Sequence, residues 1–223
     1  MMVFTVILGA LSAQATPLES AEFYNTAHTL DKGAKVIHPL FPSTFGVSDG
    51  VNLETTFLGW LAGPNIATEI GFVNTDSMAV SADAIFSSTW DFSAFSSVGG
   101  QLNYTSGGPL TNRFNASAGL LRNSFSGYNS FSIPISLGYD IVPSESTTIQ
   151  FTGASDIGYF LEGSAAGSIG TAWNKGWESY RIRLGITAAY LSIDEQTRAL
   201  LEEFDIELPN VLALPEFQMW WRF

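Results

Sequence analysis

The chain has 223 residues, with 9 Lys and Arg against 21 Asp and Glu, a formal net charge of −12. Only 13% of residues are charged, about half of the roughly 25% usual in soluble globular domains, while an ordinary 46% are apolar. The acidic balance argues against a nucleic acid as partner, which needs clustered Lys and Arg. With no cysteine there is no disulfide, no thiolate catalysis and no Cys-ligated metal. The 17 Phe, 7 Tyr and 6 Trp argue against disorder, and the length fits a single domain.

Residues 1–15, MMVFTVILGALSAQA, carry an apolar run from Val3 to Leu11 and then Ala13-Gln14-Ala15, the small-x-small pattern of a signal-peptidase site. They are read as a cleaved signal peptide, with the remaining domain spanning 16–223. The departure from the usual leader is that no Lys or Arg precedes the run, and a buried N-terminal strand or helix is the alternative. No later stretch reaches the roughly 18 uninterrupted apolar residues of a membrane helix. Export without such a helix leaves periplasmic, secreted or outer-membrane destinations.

Beyond Thr16 the dominant pattern is alternation, which marks strands with two unlike faces. In chain order the expected strands are 22–30, 34–42, 51–61, 65–73, 78–90, 93–104, 110–121, 130–140, 146–154, 157–167, 177–190 and 212–223. That is twelve, or ten if the weak first strand and one other are lost. The clearest is 177–190, where Tyr180, Ile182, Leu184, Ile186, Ala188 and Tyr190 oppose Ser179, Arg181, Arg183, Gly185 and Thr187. In 130–140, Phe131, Ile133, Ile135, Leu137 and Tyr139 alternate with Ser132, Pro134, Ser136, Gly138 and Asp140. Such lengths match the roughly 9–11 tilted residues that cross a bilayer. A soluble β-sandwich also alternates, but its polar faces are rich in Lys and Glu; here they are mostly Ser, Thr, Asn, Gly and Gln. Aromatics at the ends of apolar faces fit girdles at two interfaces. The pattern predicts an all-β, antiparallel, closed transmembrane barrel. Its inner turns are expected at 42–50, 74–77, 106–109 and 142–145, with outer loops at 122–129 and 191–211.

The chain ends Phe217-Gln218-Met219-Trp220-Trp221-Arg222-Phe223, with bulky residues alternating at 217, 219, 221 and 223. This resembles the C-terminal insertion signal of bacterial outer-membrane β-barrel proteins. The resemblance implies an integral protein of the Gram-negative outer membrane, in contact with its lipid and handled by the barrel-assembly machinery. Phe217, Met219, Trp221 and Phe223 would then be the signal. A looser likeness lies in Thr29-Leu30-Asp31-Lys32-Gly33, Phe45-Gly46-Val47-Ser48-Asp49 and Val51-Asn52-Leu53-Glu54. It is similar to the opening of uncharacterised outer-membrane families, in which a Gly-Val-x-Asp turn joins early strands, and it implies no activity.

His28 and His38 are the candidates for Ser-His or His-Asp catalysis, but no matching His, Ser and Asn motif and no Gly-x-Ser-x-Gly elbow accompanies them. Nor do two histidines without a third ligand make a metal site. No catalytic residue, metal or cofactor is expected, and the chain reads as a non-enzyme. If the apolar faces point outward, then Glu54, Glu69, Asp83, Arg113, Glu162, Arg181, Arg183, Glu216 and Arg222 line the lumen. Arg–carboxylate pairs there would cross-link and fill a small barrel; the other reading is a narrow charge-lined channel. Segment 191–211 holds Asp194, Glu195, Glu202, Glu203, Asp205 and Glu207 beside one base, Arg198. It reads as a short helix folded over the barrel mouth, or as a surface loop binding a protein partner or a divalent cation. The expected role is structural or porin-like, with small-solute passage. The alternatives are a surface interaction protein acting through 191–211 and a lipid-acting outer-membrane enzyme.

Overall fold

The computed structural model describes residues 26–38, 42–91, 94–108, 110–125, 128–157, 165–177, 180–192 and 211–223. Residues 1–15, read above as a signal peptide, Glu162 and 193–210, which is nearly all of the acidic segment, lie outside these residues. Twelve strands are present: β1 Lys35–Ile37, β2 Ser43–Ser48, β3 Val51–Thr55, β4 Asn65–Asn74, β5 Met78–Ser88, β6 Phe95–Ser106, β7 Arg113–Phe125, β8 Tyr128–Ser144, β9 Thr147–Ile157, β10 Ala165–Gly176, β11 Tyr180–Ser192 and β12 Val211–Arg222. Each pairs antiparallel with its sequence neighbours, and β12 returns to β1, so the sheet closes on itself. Backbone bonds from Lys35 N–H to the Phe223 carbonyl (3.0 Å) and from Phe223 N–H to the Lys35 carbonyl (2.9 Å) seal the seam.

The number of strands is as expected, but two early boundaries change places. Segment 26–30 is not a strand; it runs inside the barrel. Within the expected strand 34–42 the described strand is β1 at Lys35–Ile37, and β2 occupies the stretch read as a turn over 42–50. Pro42 and Gly46 resemble turn punctuation, yet Gly46 is a strand residue with a packing reason to lack a side chain. A Cβ there would run into the backbone carbonyl oxygen of Asp31. The real turn is Asp49-Gly50, with Gly50 at φ +76°, a conformation glycine adopts freely.

Three further boundaries differ from the expected ones. Segment 122–129 is continuous strand on either side of residues 126 and 127, because β7 and β8 pair out to Phe125 and Tyr128. β3 stops at Thr55, and a 3-10 turn at Leu58–Leu61 takes the rest of the expected 51–61 strand. The expected 157–167 strand is displaced: β10 begins at Ala165 and continues through Gly176. Gly167 and Gly170 hide its alternation of Ile169, Thr171 and Trp173 against Ser168, Ala172 and Asn174.

The end of the barrel that carries the C-terminus is called the near end. Its turns are 49–50, 75–77, 107–112, 145–146 and 177–179, while the far-end connections include 56–64, 158–164 and 193–210. The wall is uneven. β1, β2 and β3 have 3, 6 and 5 residues, whereas β4 to β12 have 10 to 17. The far half of the interior is therefore enclosed mainly by β4 to β12.

The two faces of the sheet reverse the habit of a soluble domain. Outward side chains such as Phe72, Leu102, Phe131 and Leu137 are more than half exposed, while the inward Arg113, Asp140, Asn174 and Thr148 are fully buried. Among the described residues the compact apolar core is confined to Leu30, Val36 and Trp220 at the near end, with Ala34 against it.

Candidate functional site: the barrel lumen

The lumen is built in three tiers, and each follows from strand parity. At the near end, Thr26, Ala27, His28, Thr29 and Leu30 are all buried inside the barrel. A backbone segment in that position has to find partners on the wall, and it does. Ala27 N–H donates to Thr105 Oγ1 (2.8 Å), and Leu30 N–H donates to Asn52 Oδ1 (3.1 Å). His28 bridges the Asn74 side chain at 2.8 Å and the Gly107 carbonyl at 3.3 Å. His38 stacks on Trp220, with ring centroids 5.2 Å apart and planes 25° from parallel. Both histidines thus sit within the near-end closure.

The middle tier is a continuous polar network. Arg113 Nε donates to Asp140 Oδ2 at 2.9 Å, and both side chains are buried to within 1%. Asn115 Nδ2 also donates to Asp140 Oδ2 (3.1 Å), and Gln150 Nε2 donates to Asp140 Oδ1 (3.0 Å). The chain extends one way through Thr105 Oγ1 to Asn115 Oδ1 (2.9 Å), and so to Ala27 of the near-end segment. In the other direction Gln150 accepts from Asn174 Nδ2 (3.3 Å) and from the Arg183 guanidinium. Arg183 Nε donates to Glu216 Oε2 at 2.8 Å, and Thr187 Oγ1 donates to the other oxygen of that carboxylate. Arg181, opposite Trp220 on β12, donates to the Trp177 carbonyl.

The wall formed by β3, β4 and β5 has the opposite character. Glu69 and Asp83 face each other directly across β4 and β5, an arrangement of like charges that is unfavourable in a sheet. Neutral donors hold them. Asn52 Nδ2 (2.7 Å) and Ser81 Oγ (2.6 Å) donate to Glu69, Asn103 Nδ2 donates to Asp83 (2.8 Å), and Thr44 Oγ1 donates to Glu54 (3.3 Å). Among the described residues none of these three carboxylates is in an ion pair, and no cluster of three or more His, Cys, Asp or Glu is set to hold a metal.

Above the network, toward the far end, the lumen opens into a cavity of about 480 Å³ bounded by β6 to β12. Gln101, Ser117, Ser136 and Ser168 contribute hydroxyl and amide groups, and Asp156 a carboxylate; Pro134, Ala154, Ala166, Ala189 and Leu212 contribute apolar surface.

Parity thus places Glu54, Glu69, Asp83, Arg113, Arg181, Arg183 and Glu216 on the lumen face, with Arg222 on the same face at the near rim. Phe217, Met219, Trp221 and Phe223 share the outer face of β12. The acid paired with Arg183 is Glu216 on β12; the expected neighbour Glu162 lies outside the described residues. Asp140, Asn115, Gln150 and Asn174 are the functional residues that sequence reasoning missed. Asp140 has the same parity as Ser132, so the alternation that placed the arginines also marks it. Trp220 was hidden by the bulky residues on either side of it. Comparison with protein-family models, with curated proteins and with solved structures found no match in any of the three.

Proposed function

We propose that this chain is an integral outer-membrane barrel whose lumen is closed at its near end by its own polar network and by residues 26–30. Its role is structural at rest, with a narrow small-solute path only where that closure yields. The observation that carries this reading is the reversed burial around a fully closed sheet: apolar side chains outside, hydrogen-bonded polar ones inside. A strand ladder that closes on itself satisfies backbone groups from within, as hydrocarbon demands of a spanning structure, and here β1 closes it onto β12 at Val36–Arg222 and Ile37–Trp221.

The distribution of charge on the outer face supports it. Outward positions of the twelve strands carry three charges, Lys35, Arg122 and Lys175, each close to a strand end. Lys175 turns its ammonium to Ser146 Oγ (2.8 Å) and Thr147 Oγ1 (3.1 Å) at the near rim, and Arg122 donates to Asn129 (3.1 Å) toward the far one. Basic side chains at interface level behave in this way. Trp177 stacked on Tyr180 at the near end, and Trp60 beside Trp90 at the far end, fit interfacial girdles. Short near-end turns opposite longer far-end connections are the habit of such barrels, with the short side facing the periplasm.

Refolding into liposomes tests the reading, with planar-bilayer recording on the same material. The expected result is protease-resistant, heat-modifiable protein inserted in lipid, with no large steady conductance. A soluble, detergent-independent monomer would overturn the membrane assignment. Steady conductance on the scale of an open general porin would overturn the closed lumen.

A further inference from the structure

We propose that the far-half cavity is a binding site for a small cationic amphiphile, a molecule with one ammonium group and one short apolar chain. The first observation is an inversion within an inversion. The lumen face of the middle tier is polar, but here the inward parity gathers Pro134, Ala154, Ala166 and Ala189 on one patch of wall around Asp156 and Ser168. Leu212 and Leu214 on β12 share that inward parity and remain 47% and 43% exposed. Apolar side chains left uncovered on the inner face of a barrel wall form a surface that a ligand's apolar part can cover. At about 480 Å³ the space falls within the roughly 300–1,000 Å³ of small-molecule sites.

The second observation is independent of the first. Asp156 lines this cavity, and one oxygen of its carboxylate, Oδ1, is buried with no hydrogen-bond partner, while Ser132 serves the group from β8. A buried acceptor without a donor is costly and calls for one. Asp156 is also the one charged side chain among the residues that line the cavity. A donor bearing positive charge beside that carboxylate answers its charge from within the cavity, and an apolar chain attached to it would lie toward Leu212. The polar network beneath makes the cavity a blind pocket, so a ligand is held there instead of passed along. The site lies inside the barrel and stands apart from what the outer face meets.

The test is calorimetric titration of the full-length barrel in lipid nanodiscs with octylammonium, octanoate and octanol. Folding is checked separately for every variant by circular dichroism and heat-modifiable migration, so a barrel that never inserts is distinguished from one that inserts without binding. Octylammonium is expected to bind saturably at one per barrel, and at least tenfold more tightly than octanoate. Asp156→Asn should lower octylammonium affinity tenfold or more and leave octanol unchanged. Ala189→Phe, which fills the cavity, should remove saturable binding of both. Equal binding of octylammonium by Asp156→Asn and the parent, or saturable binding that survives Ala189→Phe, would overturn the proposal. So would binding that appears only after deletion of residues 193–210, which would make that segment the occupant.

Discussion

Arg113 and Asp140 show how much a single pair can matter when no water reaches it. Both are sealed in the lumen, and Asp140 accepts from Arg113, Asn115 and Gln150 together. A buried ion pair need not stabilise relative to an apolar one, but breaking it leaves a charge with nothing to answer it. Asp140→Leu should therefore destabilise the folded barrel by about 3–5 kcal/mol, measured as urea unfolding in liposomes. Arg183 and Glu216 are paired at a similar distance yet retain 14% and 23% side-chain exposure. Solvent screens that pair, so Glu216→Gln should cost about 1 kcal/mol or less. A loss for Glu216→Gln as large as for Asp140→Leu would mean that the upper lumen is drier than its cavity implies. On the outer face the sign of the problem reverses. Leu184 is 47% exposed in midstrand, so Leu184→Arg should cost roughly 2–4 kcal/mol by the same assay if lipid covers it. A neutral result there would argue that water, not lipid, meets this face.

Segment 26–30 and β2 are two of the elements that sequence reading misplaced, and they touch. The error has one source: period-two alternation reports a strand only where the two faces meet different media. The long strands from β5 to β12 separate an apolar outside from a polar inside, so most of their faces, and the lumen charges on them, are legible residue by residue. Segment 26–30 is surrounded by lumen on all sides, so its mixed Thr-Ala-His-Thr-Leu carries no such contrast. β2 is short and holds a glycine chosen for the close approach of Asp31, which reads as a turn. The hydrogen bonds that join Asp140 to Gln150 and Asn174 depend on register across three strands, and no single strand's pattern encodes that. The contact between these two elements is itself testable. Gly46→Ala places a methyl group against the Asp31 carbonyl, and backbone there cannot swing aside as a side chain can. The expected outcome is a folded barrel in which the near-end segment is displaced, seen as new protease cleavage between residues 26 and 34. Unchanged protection would mean that β2 bends to absorb the methyl. At the other closing element, Phe223 binds Lys35 through its backbone while its ring is 71% exposed. Phe223→Asp keeps those bonds available, so a fall in membrane-inserted yield with export intact would assign the ring to assembly rather than to stability. Normal yield would remove the C-terminal signal from the account.

Across the whole molecule the charges divide by wall. The lumen arginines on β7 and β11 are engaged by Asp140, Glu216, Gln150 and the Trp177 carbonyl, whereas among the described residues Glu54, Glu69 and Asp83 on β3, β4 and β5 are answered by neutral groups. Where these carboxyl groups are ionised the interior field is negative along that side, and the net charge of −12 adds to it at long range. Within about a Debye length, roughly 10 Å at 0.1 M salt, such a wall concentrates cations and excludes anions. In the closed barrel proposed above this has little consequence for transport, because there residues 26–30 and the Asp140 network close the way. Removing the closure should expose it. A variant lacking residues 26–30 is expected to conduct in planar bilayers and to prefer potassium over chloride, read as the reversal potential across a salt gradient. Combining that deletion with Glu69→Gln and Asp83→Asn should bring the reversal potential toward zero, and raising the salt to 1 M should weaken the preference in the parent deletion, where the screening length falls to about 3 Å. Anion preference in the deletion variant would show that the arginines, not the carboxylates, set the field along the path. Absence of conductance would show that the side-chain network closes the barrel without the segment's help.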